Sequence, residues 1–109
     1  GEEIKRRLAA PLKISSTLTL FFSSAQRINQ VSISEDIAQG ERIRAFSLQA
    51  KIKGRWKDVR TGTSVGNRRI LTFPALRTAA LRLQVQKSKG PPLIRNFSAY
   101  NITGEPVEN

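Results

Sequence analysis

The segment Phe46-Ser47-Leu48-Gln49-Ala50-Lys51-Ile52-Lys53-Gly54-Arg55-Trp56-Lys57-Asp58-Val59 reads as two strands joined by a tight turn. Phe46, Leu48, Ala50 and Ile52 fall on one side of an extended chain, and Ser47, Gln49, Lys51 and Lys53 on the other, because side chains alternate faces along a strand. That alternation predicts a strand with one face on a core and one in water. Gly54-Arg55 offers the turn, and Trp56 to Val59 the return strand of a hairpin rimmed by lysine and arginine. Trp56, just after the turn, is expected to pack in the core rather than serve as a ligand platform.

Outward from this hairpin the same period recurs. Leu81, Leu83 and Val85 alternate with Arg82, Gln84 and Gln86, a second strand facing a core. Thr17 to Phe22, Ile28 to Ser34, Arg69 to Phe73 and Ile94 to Tyr100 are further short runs bounded by Gly, Pro, Asn and Ser. About seven or eight strands at this spacing suit two sheets packed face to face. Pro74 and Gly90-Pro91-Pro92 are expected to break strands, because proline cannot donate to a central ladder. Phe46, Phe73, Phe97 and Tyr100 sit in strand patterns and are expected in the core. Glu2 to Leu8 reads as a short helix of roughly two turns, acidic at its start, basic at its end and stopped by Pro11. The expected organisation is a helical lead-in over 1–13, an all-β sandwich over 14–102 and a polar tail over 103–109.

A chain of 109 residues fits one core and leaves no room for a catalytic barrel beside it. Hydrophobic residues at 39% and charged residues at 25% suit a folded domain rather than a disordered one. No run approaches the roughly 20 apolar residues of a membrane helix, so no membrane partner is expected. Methionine is absent, which reads as an excerpt or a processed product. Nineteen basic against eight acidic residues give a net charge of +11, enough to attract polyanions nonspecifically at low salt.

Chemistry is restricted by what is missing. Without histidine or cysteine there is no Ser-His-Asp triad, thiolate nucleophile, imidazole ligand or disulfide framework. Carboxylates remain, and Glu35, Asp36 and Glu41 cluster in the patterned region. Adjacent residues at a strand end point to opposite faces, a poor geometry for two carboxylates acting on one glycosidic bond. Glu35 or Glu41 is expected instead to pair with Arg42 or Arg44. Gly62-Thr63-Ser64-Val65-Gly66-Asn67-Arg68 lacks the Gly-Lys-Ser/Thr ending of a phosphate loop and reads as an ordinary connection. No catalytic residue, cofactor or metal site is expected.

Three linked stretches carry a resemblance: Ser34 to Ile43, Gly54-Arg55-Trp56-Lys57, and Gly62 to Ile70, followed by Leu81-Arg82-Leu83 and Ser88 to Ile94. Their order and spacing resemble the C-terminal discoidin-like (coagulation factor type C) module of α-L-fucosidases, and Glu3 to Arg7 is similar to the segment entering that module. The resemblance implies a galactose-binding-like jelly-roll sandwich that follows a catalytic (β/α) barrel, where the family's hydrolytic carboxylates reside. It therefore implies an accessory role: packing against that barrel, with fucosylated or other glycans as further partners. An extracellular, periplasmic or lysosomal location comes with it. Leu8 stands where the family more usually has an aromatic, and the surface is richer in arginine.

Sandwich modules of this kind place ligands on an aromatic face or in the loops at one end. The loop candidates for carbohydrate binding are Glu35, Asp36, Gln39, Arg42, Asn67, Arg68 and Arg95, where carboxylates and guanidinium forks suit hydroxyls and anionic groups. The alternative reading is a nucleic-acid or polyanion binder using Lys51, Lys53, Arg55 and Lys57 beside Trp56.

Overall fold

The computed structural model describes residues 2–3, 12–13, 16–38 and 40–103. Its strands are β1 (Glu2–Glu3), β2 (Leu12–Lys13), β3 (Thr17–Glu35), β4 (Ile43–Ile52), β5 (Arg55–Gly62), β6 (Arg69–Ser88) and β7 (Leu93–Asn101). All pair antiparallel in the order β1-β7-β3-β6-β4-β5, with β2 also on β7.

Two layers arise because β3 and β6 each run through both. The first half of β3 pairs with the second half of β6, from Thr17 opposite Gln84 to Phe21 opposite Ala80. The far edge of that β6 segment carries β4, and β4 carries β5. The second half of β3 pairs with the first half of β6 on one side and β7 on the other. The result is an all-β sandwich. The four runs read from sequence as separate strands, Thr17–Phe22, Ile28–Ser34, Arg69–Phe73 and Leu81–Val85, are thus the two halves of two long strands.

Irregular pairing makes the fold-over possible. Between Phe21↔Ala80 and Gln26↔Thr78, β3 advances five residues while β6 advances two, and such surplus bends a strand. Thr78, buried at this corner, lies 2.7 Å from the Lys51 carbonyl and 2.9 Å from that of Ala80, and its hydroxyl accepts the Ala80 N–H at 3.2 Å. A second irregularity runs the other way: from Ile28↔Leu76 to Gln30↔Thr72, β3 advances two residues and β6 four. Pro74 sits in that β6 surplus, exposed, where no ladder N–H is required of it. It therefore does not end the strand as the sequence predicts. Opposite it, the Asn29 side chain acts as a peptide would, donating to the Ile102 carbonyl at 2.7 Å and accepting the Ile102 N–H at 2.8 Å.

The core lies between the layers. Ile28, Val31, Ile33, Ile43, Phe46, Leu48, Leu71, Leu81, Leu83, Ile94 and Phe97 are fully buried, each such side chain contributing roughly 1.5–3 kcal/mol. The alternations of β4 and of Leu81–Val85 face inward as predicted, and Phe73 is buried while Tyr100 is half-buried. Trp56 departs from expectation. It stands opposite Lys51 on the outer face, half-buried beneath the Arg82 guanidinium, 4.2 Å from the ring centroid. The turn also shifts by one residue. Ile52 pairs with Arg55, leaving Lys53 (φ 52°) and Gly54 (φ 78°) as the two central residues, the left-handed pair of a type I′ hairpin.

The expected N-terminal helix is not seen at its start: Glu2 and Glu3 pair in extended form with Asn101 and Tyr100. Its remainder, like the tail beyond Thr103, lies outside the described residues.

Candidate functional site

One end of the sandwich gathers three connections: residues 36–42 between β3 and β4, 63–68 between β5 and β6, and 89–92 between β6 and β7. Strand lengths set by the core bring these loops together, and backbone bonds lock them. Glu35 N–H donates to the Gly66 carbonyl at 2.8 Å, Asp36 N–H to the Leu93 carbonyl at 2.9 Å, and Lys89 N–H to the Arg42 carbonyl at 2.7 Å. Val65, buried in the core, pins the β5–β6 loop from below.

Glu35 is the centre of this arrangement and is 1% exposed. Its Oε1 accepts the N–H groups of Arg42 at 2.9 Å and Ile43 at 3.2 Å, and its Oε2 accepts that of Gly66 at 3.0 Å. The expected ion pair between Glu35 and an arginine side chain is thus replaced by three backbone donors. A buried carboxylate needs such partners to offset its dehydration. Asp36 starts the β3–β4 loop, its Oδ1 accepting the Ala38 N–H at 3.1 Å and lying 3.6 Å from Arg95 Nη2. Asn67 and Arg68 are exposed on the neighbouring loop. Gln39 lies outside the described residues.

Between the loops opens a cleft of about 820 Å³ lined by Gly40, Glu41, Arg42, Ile43, Arg44, Ser64, Lys89, Gly90 and Pro91. Two guanidiniums are oriented in it. Arg42 Nη1 donates to the Pro91 carbonyl at 2.7 Å, and Arg44 Nη1 to the Glu41 carbonyl at 2.9 Å. Of the described residues singled out from sequence, only Arg42 lines this cleft. Glu35 lies beneath it as a staple, Asp36 and Arg95 pair with each other, and Asn67 and Arg68 are not among its walls. Glu41, Arg44 and Lys89 were not marked as ligand contacts. The signal available was the pair of glycine-bearing turns, Gly40 and Gly90, that bring cations to one opening. Among the described residues no group of three or more potential metal-ligating acids is present.

The architecture is a folded-over antiparallel β-sandwich with a polar cleft at its loop end. It spans 84% of this chain and 76% of a chitosan-binding module from a Paenibacillus chitosanase/glucanase, at TM-score 0.72 and 16% identity, a likeness of fold alone. Closer matches come from larger proteins. The chain is 36% identical over 86 residues to α-L-fucosidase 1 of Arabidopsis thaliana, covering 76% of this chain and 17% of that protein. A crystal structure assigned as an α-L-fucosidase of Bacteroides thetaiotaomicron matches 88% of this chain and 22% of its own, at TM-score 0.80 and 40% identity. A glycoside hydrolase 29 family member from a rumen bacterium matches 92% of this chain and 20% of its own, at TM-score 0.78 and 27% identity. No protein-family model matches the chain. The chain is homologous to the C-terminal region of α-L-fucosidases of glycoside hydrolase family 29 and spans about a fifth of their length.

Proposed function

We propose that the chain is the discoidin-like, non-catalytic accessory module of an α-L-fucosidase, supporting the catalytic barrel and presenting its loop end to carbohydrate. The observation that carries this reading is the confinement of homology to about a fifth of the fucosidases. The acids agree with it. Glu35 is consumed by backbone amides, Asp36 by Arg95 and a loop N–H, and Asp58 Oδ1 by Gln49 Nε2 at 2.8 Å. Retaining and inverting hydrolysis both need two carboxyls poised at one bond, and Glu35, Asp36 and Asp58 are each already engaged by the partners just named.

The test is to add the chain to a fucosidase barrel stripped of its own module. Co-elution and a raised melting temperature of the barrel are expected, because a partner binding only the folded state stabilises it. The chain alone is expected to leave an aryl α-L-fucoside intact. Turnover by the isolated chain would sink the non-catalytic reading, and absence of any complex would sink the supporting role.

A second reading has its own observation. Lys51, Lys53, Arg55 and Lys57 are all exposed on the β4–β5 hairpin, at the opposite end of β4 from the cleft, so a polyanion would meet four cations there with no acid between Lys51 and Lys57.

A further inference from the structure

We infer that the loop-end cleft binds an anionic saccharide, one bearing a sulfate ester or a uronate carboxylate. That the ligand is a saccharide rests on reading the chain as a glycosidase module; that it is anionic rests on the cleft itself. At about 820 Å³ the opening falls within the range of small-ligand sites, roughly 300–1,000 Å³. Its walls differ from the usual apolar pocket. Among the described residues lining it none is aromatic, and only Ile43 and Pro91 are large and apolar.

That lining separates ligand classes. A neutral sugar is held largely by an aromatic plane against its C–H face, and nothing here supplies one. Among the described residues Arg42, Arg44 and Lys89 instead bring three cations to the opening, opposed by the single acid Glu41. Guanidinium forks suit the planar or trigonal oxygens of carboxylate and sulfate. Arg42 and Arg44 are held in place by the carbonyl contacts of their Nη1 atoms, which lowers the cost of ordering them on binding. The same wall carries the acceptors Glu41 and Ser64, which fit sugar hydroxyls. A carboxylate set among the cations disfavours a continuous phosphate backbone, so the mixed lining matches a molecule carrying both hydroxyls and one negative group. Trp56, the residue most suggestive of sugar stacking, is on the hairpin layer's outer face and covered by Arg82.

The experiment is calorimetric titration of the full chain, at physiological salt, with a sulfated oligosaccharide, a uronate-bearing one, their neutral counterparts and duplex DNA. One or both anionic sugars are expected to bind, the arm that does so naming the charged group, while the neutral sugars do not and any DNA binding is untouched by Lys89→Ala. Lys89→Ala, whose one described hydrogen bond is made by its backbone, should weaken binding about tenfold, the scale of one charge-assisted hydrogen bond. The paired hairpin change Lys53→Ser with Lys57→Ser should leave affinity unchanged. The inference is overturned by no binding to either anionic sugar, by equal binding of the neutral ones, by DNA binding that Lys89→Ala removes, or by loss of sugar binding in the hairpin variant. Barrel stabilisation is a separate readout, so the module reading can stand or fall independently.

Discussion

Removing a carboxylate from water costs several kcal/mol unless its oxygens find donors, and Glu35 finds three backbone N–H groups from two different loops. The side chain therefore acts as a clasp that fixes the β3–β4 loop against the β5–β6 loop. Glu35→Gln keeps one acceptor oxygen but turns an NH₂ group toward an N–H that needs an acceptor. The expected loss is about 2 kcal/mol, a fall in melting temperature of roughly 5–15 °C for a domain of this size. Thermal unfolding followed by circular dichroism measures it. A variant melting together with the parent protein would show that the amides do not depend on the carboxylate. From sequence, Glu35 beside arginines reads as half of an ion pair, because side-chain charges are visible in a sequence and backbone donors are not. Trp56 illustrates the same limit. It stands on the outer face opposite Lys51, and the Arg82 guanidinium that covers it comes from β6, a neighbour that local alternation does not reveal.

Elements record how much of the fold is local. Alternation in Phe46–Ile52 and Leu81–Val85 was legible because period two needs no knowledge of partners. The joining of shorter runs into β3 and β6 was not, since the surplus residues around Phe21–Gln26 and Thr72–Leu76 acquire meaning only beside the opposing strand. Gly62, read as part of a turn-rich connection, is the last residue of β5 and stands opposite Phe46. A methyl group added there would lie 2.7 Å from two atoms of the fully buried Phe46 ring. Gly62→Ala should therefore cost about 1–3 kcal/mol through overpacking, read as a lowered midpoint in urea. Phe46→Leu added to it should recover part of that loss. If the single variant is as stable as the parent, β5 does not hold its edge against β4 as tightly as the pairing implies.

At the scale of the whole molecule, whose net charge is +11, two groups of cations stand where different ligands would use them. The cleft sets its cations around an acid and fixes two of them by backbone contacts, whereas the hairpin offers Lys51, Lys53, Arg55 and Lys57 exposed in one short run. They lie at opposite ends of β4, roughly 30 Å apart at the rise of an extended strand. Attraction of a polyanion to the hairpin comes mainly from counterion release, so its strength should fall linearly with the logarithm of salt. With four cations engaged the slope on duplex DNA should approach about −3.5, and Lys53→Ser with Lys57→Ser should bring it to about −2. Fluorescence titration across a salt series reads both slopes, with Trp56 beside Lys51 as the reporter. A slope unmoved by the double change would place the polyanion elsewhere on the surface and remove the hairpin from the second reading.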